Sequence, residues 1–287
     1  MATFVAIALV QLLKNIMFIS FVAVTTALLL TITGTLTFWP MAQWYDIYRP
    51  IVLMIGGYVA GVMLMWIFYE IFGRLLSSYK KQYDKPSRFA RFLLHNGITY
   101  VNRVCRAKLI TVGLDNIPNE PFLLVGNHKS NFDPMLVAQA LSSRDIAFIC
   151  KKEVMKIPLA GHLMWRNCYL PIDRKDRIQS LAQFNRAADL LEARVTSIGV
   201  YPEGTRVKNG EVLGEFHHGA FSIAIKNKCP IVVVTMKGTE KIHKNFPRKS
   251  HVQMICRVLY YREDYLGMNA KQLSDFVHSL IYQELSE

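Results

Sequence analysis

Pro121-Phe122-Leu123-Leu124-Val125-Gly126-Asn127-His128-Lys129-Ser130-Asn131-Phe132-Asp133-Pro134 joins an apolar run, a polar loop and a helix start. Residues 121–125 read as a buried strand, and Pro134 is a good first helical residue. About 70 residues later a second apolar run, 197–200, ends in Tyr201-Pro202-Glu203-Gly204-Thr205-Arg206. From residue 108 onward, short β-rich runs alternate with helical stretches. The pattern predicts strands at 109–112, 122–125, 146–149, 198–201, 231–235 and 252–258. It predicts helices at 134–141, 159–165, 177–193, 219–226 and 270–285. Such alternation implies an α/β fold with a mostly parallel sheet flanked by helices. In such sheets sites form at the C-terminal ends of strands, where both loops fall.

The two loops carry complementary chemistry. An imidazole oriented by a carboxylate removes a proton from a hydroxyl, and His128 and Asp133 are five positions apart. Asp133 also has a plain structural reading as the N-cap of a helix led by Pro134. An arginine on a glycine-containing turn holds a phosphate through paired hydrogen bonds, which suits Gly204 and Arg206. Together they imply an enzyme that activates the hydroxyl of a phosphorylated substrate.

Asn127-His128-x4-Asp133 followed by Pro202-Glu203-Gly204-Thr205-Arg206 resembles the glycerolipid acyltransferase family, in particular its 1-acyl-glycerol-3-phosphate acyltransferases. Two further blocks match in order: Lys151-Lys152-Glu153 through Pro171-Ile172-Asp173-Arg174, and Cys229-Pro230-Ile231-Val232-Val233-Val234. The stretch from Gly214 to Phe221 also fits, and the resemblance covers roughly residues 108–260. It implies transfer of an acyl group from acyl-CoA or acyl carrier protein to 1-acyl-glycerol-3-phosphate, without a cofactor, giving phosphatidic acid. His128 is then the base and Asp133 fixes its tautomer. Glu203, Gly204, Thr205 and Arg206 bind the acceptor phosphate, with Lys152 and Arg174 as further phosphate contacts. Asn127 shapes the loop and takes no chemical part. The chain departs from the pattern at Tyr201, Asn167-Cys168, His217 and Val233, none of them in the proposed base or clamp. Glycerol-3-phosphate or another lysophospholipid is an alternative acceptor.

The front of the chain has a different character. Of 287 residues 52% are hydrophobic, and 16–38 and 51–69 contain no charge. Roughly 20 apolar residues span a bilayer as a helix, so 1–72 reads as a membrane hairpin, either spanning or entering one leaflet. Gly34, Gly56, Gly57 and Gly61 would allow close helix packing. Lys14 and Arg49 balance Asp46 and Glu70, so the net charge of +13 belongs wholly to residues 71–287. Arg74, Lys80, Lys81, Lys85, Arg88 and Arg91 follow the second run and place that side in the cytoplasm. Trp39, Trp44, Tyr45 and Tyr48 form an interfacial belt. The first run is too long for a signal peptide's apolar core. Residues 73–107 then form a connecting segment with a basic amphipathic helix at 87–104, which packs on the core or lies on an anionic membrane surface. The catalytic domain is expected over 108–287.

Five cysteines without a CxxC pair fit reduced thiols. HExxH is missing, and Ser130 lacks a G-x-S-x-G elbow, so neither a metal nor a serine nucleophile is expected. The net charge permits a basic, membrane-anchored nucleic-acid-binding protein, but the cations are dispersed and no nucleic-acid-binding motif accompanies them.

Overall fold

The computed structural model describes residues 18–38, 44–207 and 211–287. Lys14, Trp39 and the side chains of Trp44 and Tyr45 lie outside the described residues. The chain divides into two compact units between Leu76 and Ser77.

In the first unit, α1 (Phe18–Thr33) continues as a π-helical turn, Gly34–Phe38, and is followed by α2 (Tyr48–Leu76). Small residues let the helices meet. A Cβ added at Gly57 would lie 2.8 Å from the Ala27 Cα, and one at Gly61 2.7 Å from the Ala23 Cα. Each pair recurs at a four-residue interval, the small-xxx-small arrangement of helices in lipid. Gly56 faces open space and takes no part. The outer faces expose Leu28, Leu29, Ile55, Met63 and Trp66. Ile19–Thr37 and Tyr48–Leu76 are long and apolar enough to cross a membrane. Water is a poor solvent for so much apolar surface, and the pair marks the protein for membrane association. Thr25, Thr26, Thr31 and Thr33 donate their hydroxyls to carbonyls four residues back, removing polar groups from the lipid-facing surface.

The second unit starts with α3 (Arg88–Val104), capped by Ser87, whose hydroxyl accepts from the Ala90 N–H. Ala90, Leu93, Leu94 and Asn102 are buried, so α3 packs on the core; Phe89, Phe92 and Val101 lie on its more exposed side. Seven strands follow: β1 (Ala107–Val112), β2 (Leu123–Gly126), β3 (Ile146–Lys151), β4 (Leu170–Ile172), β5 (Ser197–Val200), β6 (Ile231–Lys237) and β7 (Ser250–Leu259). Their order is β1-β7-β6-β2-β5-β3-β4, parallel throughout except that β7 runs antiparallel to β6.

Central strands are buried on both faces, which explains their unbroken apolar runs. Leu123, Val125, Ile231 and Val233 face one core, with α5 (Arg177–Glu192), α6 (Ser222–Asn227) and α7 (Ala270–Ser286). Phe122, Leu124, Val232 and Val234 face the other, with Leu136 and Val137 of α4 (Phe132–Ala140). Asp176 caps α5 by accepting from the Gln179 N–H, and Asn269 and Gln272 form a capping box on α7.

The α/β reading holds, with local corrections. The edge strand β4 went unrecognised because it has three residues, one of them Pro171. The expected helix at 219–226 is a 3₁₀ turn, His218–Phe221, followed by α6. Tyr201 lies beyond the end of β5 and begins the functional loop.

Gly199 sits in β5 where an added Cβ would lie 2.5 Å from the Phe148 ring. Gly199→Ala is expected to lower stability by about 1–3 kcal/mol through overpacking. Denaturant unfolding of the detergent-solubilised protein checks this; an unchanged midpoint contradicts it.

Candidate active site

Strands β2 and β5 are parallel neighbours, with Val125 opposite Val200, so the loops that follow them leave the same edge of the sheet. Two hydrogen bonds join those loops at one residue. The His128 N–H donates to Glu203 Oε1 at 2.8 Å, and the His128 carbonyl accepts from the Val207 N–H at 3.0 Å. The motif separated in sequence is thereby one structure, with Arg206 next to a residue bonded to His128.

The helix begins at Phe132, so Asp133 lies within its first turn and is not the N-cap; Asn131 holds that position. The Asp133 side chain turns back into the loop. Its Oδ2 accepts from the backbone N–H groups of Lys129 (2.8 Å) and Ser130 (2.6 Å) and lies 2.9 Å from His128 Nδ1. The carboxylate is fully buried, whereas the imidazole is 19% exposed. An ionised carboxylate accepting at Nδ1 fixes the tautomer with the proton there, leaving Nε2 as the lone-pair nitrogen. No described residue bonds to Nε2.

Aromatic rings floor the site. The Tyr201 ring stacks on the imidazole at 4.7 Å, and Phe148 stacks on Tyr201 at 6.0 Å. Burial raises the Tyr201 phenol well above its ordinary value, so it stays protonated. Sequence reading treats Tyr201 as a minor departure; its place directly after a buried strand and directly before Pro202 is the signal that it reaches the site. Asn127 braces the loop from the other side. Its amide donates to the Met236 carbonyl and accepts from the Met236 N–H, tying β2's end to β6.

The remaining predicted site residues divide. Gly204 has φ +67°, a left-handed value that suits glycine, and the His217 ring would meet any Cβ there at 3.0 Å. Thr205 and Arg206 are exposed, and no described residue pairs with the Arg206 guanidinium. Glu203 points inward and is buried. Lys152 forms an ion pair with Asp173, while Arg174 is exposed. No three His, Cys, Asp or Glu side chains among the described residues are grouped to hold a metal ion. Burial pushes the Cys150 thiol up to about 12 and Cys168 up to about 11, which keeps both protonated.

Residues 108–237 match the acyltransferase family model. A probable 1-acyl-sn-glycerol-3-phosphate acyltransferase of Mycoplasma pneumoniae is 31% identical over 182 residues, 62% of this chain and 66% of that protein. Human 1-acyl-sn-glycerol-3-phosphate acyltransferase alpha is 32% identical over 143 residues, 50% of each chain. The chain spans between 37% and 68% of the length of the curated relatives it matches. The crystal structure of the 1-acyl-sn-glycerophosphate acyltransferase PlsC from Thermotoga maritima shares the fold, with a TM-score of 0.52 at 20% identity. That likeness covers 78% of this chain and 94% of the other.

Burial pushes the Glu203 carboxyl up to about 7, against the opposing pull of the His128 N–H and ring. The folded state therefore holds this proton more tightly than the unfolded chain, whose value is near 4.5. Stability is lost as pH rises from the lower value through the higher, by on the order of 3 kcal/mol. Glu203→Gln keeps an acceptor for the His128 N–H and should flatten that fall. Unfolding curves of the two proteins from pH 4.5 to 7 test this, and parallel profiles would contradict it.

Proposed function

We propose that the acyltransferase-family domain at residues 108–237 transfers a fatty acyl group from an acyl thioester to the free hydroxyl of 1-acyl-glycerol-3-phosphate, forming phosphatidic acid. The observation that carries this reading is the His128–Asp133 pair, 2.9 Å apart, with Nε2 unclaimed by any described residue. The names of the relatives supply the substrate class.

His128 Nε2 takes the hydroxyl proton as that oxygen attacks the thioester carbonyl. The Asp133 carboxylate, held by two backbone N–H groups, stabilises the imidazolium that results. The tetrahedral adduct collapses with cleavage of the C–S bond, and the imidazolium returns its proton to the departing thiolate. Both substrates bind together, and no acyl-enzyme forms. The donor is acyl-CoA or acyl carrier protein.

Arg206 supplies the fork for the acceptor's phosphate, and Gly204 lets backbone approach it. Thr205, exposed beside Arg206, adds a hydroxyl donor. Glu203 belongs to the same block but acts through the His128 peptide, since a buried carboxylate bonded to a backbone N–H is poorly placed to attract an anion. Lys152 reaches a phosphate only by leaving Asp173, and Arg174 is the freer of the two second-rank cations. The cations after α2, from Arg74 to Arg91, support a cytoplasmic catalytic domain.

His128→Ala should abolish transfer to labelled lysophosphatidic acid in detergent or lipid while leaving the fold intact. Turnover by the purified variant would remove His128 from the mechanism. Arg206→Ala should raise the lysolipid KM roughly 10- to 100-fold through loss of a charged hydrogen bond. An effect confined to the donor's KM would move Arg206 to the donor site. A panel of acceptors that includes glycerol-3-phosphate separates the acceptor classes.

A further inference from the structure

The turn between β6 and β7 carries Lys241, Lys244, Arg248 and Lys249 around Phe246. All five are exposed, Phe246 at 55%. No carboxylate among the described residues pairs with any of the four cations. Glu240, the turn's one acidic residue, is half-buried. The turn is also firmly built. Thr239 and Ile242 are wholly buried beneath it, the Arg248 N–H donates to the Asn245 carbonyl at 2.7 Å, and Asn245 Nδ2 donates to Ser250 Oγ. Arg106, at the foot of β1, donates to the Pro247 carbonyl and adds a fifth cation. An aromatic ring is thus held in solvent on a turn whose exposed cations have no carboxylate partner among the described residues.

Its position matters as much as its composition. β7 returns antiparallel, so the turn lies at the sheet edge from which the His128 loop departs; Gly126 is opposite Val234 on β6. Asn127 bonds to Met236, one residue before β6 ends.

We propose that this turn is a membrane contact in its own right, docking the sheet edge that carries the His128 loop on an anionic bilayer surface. Phe246 enters below the phosphate layer while Lys241, Lys244, Arg248 and Lys249 sit among the phosphates. Juxtaposed aromatic and basic side chains match the two layers of a lipid interface, apolar beneath and anionic above. Single-stranded nucleic acid calls instead for several stacking rings along a basic groove, and Phe246 is the one large apolar ring exposed on this turn. The inference does not rest on the acyl-transfer reading.

The test uses the full chain in vesicles of phosphatidylcholine alone or mixed with phosphatidylglycerol, each with bromine-labelled acyl chains. Phe246→Trp adds an indole whose signal is read against the four native tryptophans. The added emission should be quenched in the mixed vesicles, recover at high salt, and escape quenching when Lys241, Lys244, Arg248 and Lys249 are all changed to Glu. Far-UV circular dichroism checks the fold of the charge variant; should it fail, the salt response of Phe246→Trp alone decides. Quenching that ignores lipid charge overturns the proposal. So does an indole open to aqueous iodide in every vesicle, with or without salt-sensitive oligonucleotide binding.

Discussion

The loop after β5 holds both backbone polar groups of His128, one through a side chain and one through its own backbone. Everything proposed for this site depends on that double attachment. Without it, the imidazole loop and the arginine loop would be neighbours only because their strands are. With it, the arginine-bearing turn is bonded directly to the histidine's backbone. The parallel register of β2 and β5 makes the contact possible, because it brings both loops out at the same height.

The arrangement is not the most stable one this chain could adopt. Among the described residues, Glu203 Oε2 and Asp133 Oδ1 are buried oxygens without a hydrogen-bond partner, and the Tyr201 hydroxyl is another. Such groups cost stability wherever they occur, and here three lie within one constellation. The surrounding sheet compensates through close packing on both faces and a large share of wholly buried aliphatic side chains. Three unmet polar groups gathered around one imidazole are a local sacrifice of stability at the site proposed for chemistry.

Much of the architecture was legible in the sequence because burial on both faces writes strands as continuous apolar runs, as at 122–125 and 231–235. Elements with weak signals were lost. β4 is short and carries a proline, and the antiparallel return of β7 leaves no trace in composition. At the site, ordered motif blocks identified His128, Asp133 and the Glu203 to Arg206 segment. They could not reveal that Glu203 faces the histidine peptide, since a carboxylate in a turn reads the same whether it points inward or outward. The stack of Phe148, Tyr201 and His128 was equally hidden; it joins a residue of β3 to the loops that follow β5 and β2 and exists only once the sheet is assembled. Gly57 and Gly61 were legible as packing sites because their four-residue spacing survives in the linear chain, whereas Gly56 shares their composition and not their face.

That aromatic stack also bears on timing. An imidazole clamped by a ring below and a carboxylate at Nδ1 cannot turn over between its two flip states. The search for the productive orientation is then completed during folding and not repeated at each encounter with a ligand. Little reorganisation would then remain for the proton transfer proposed at Nε2.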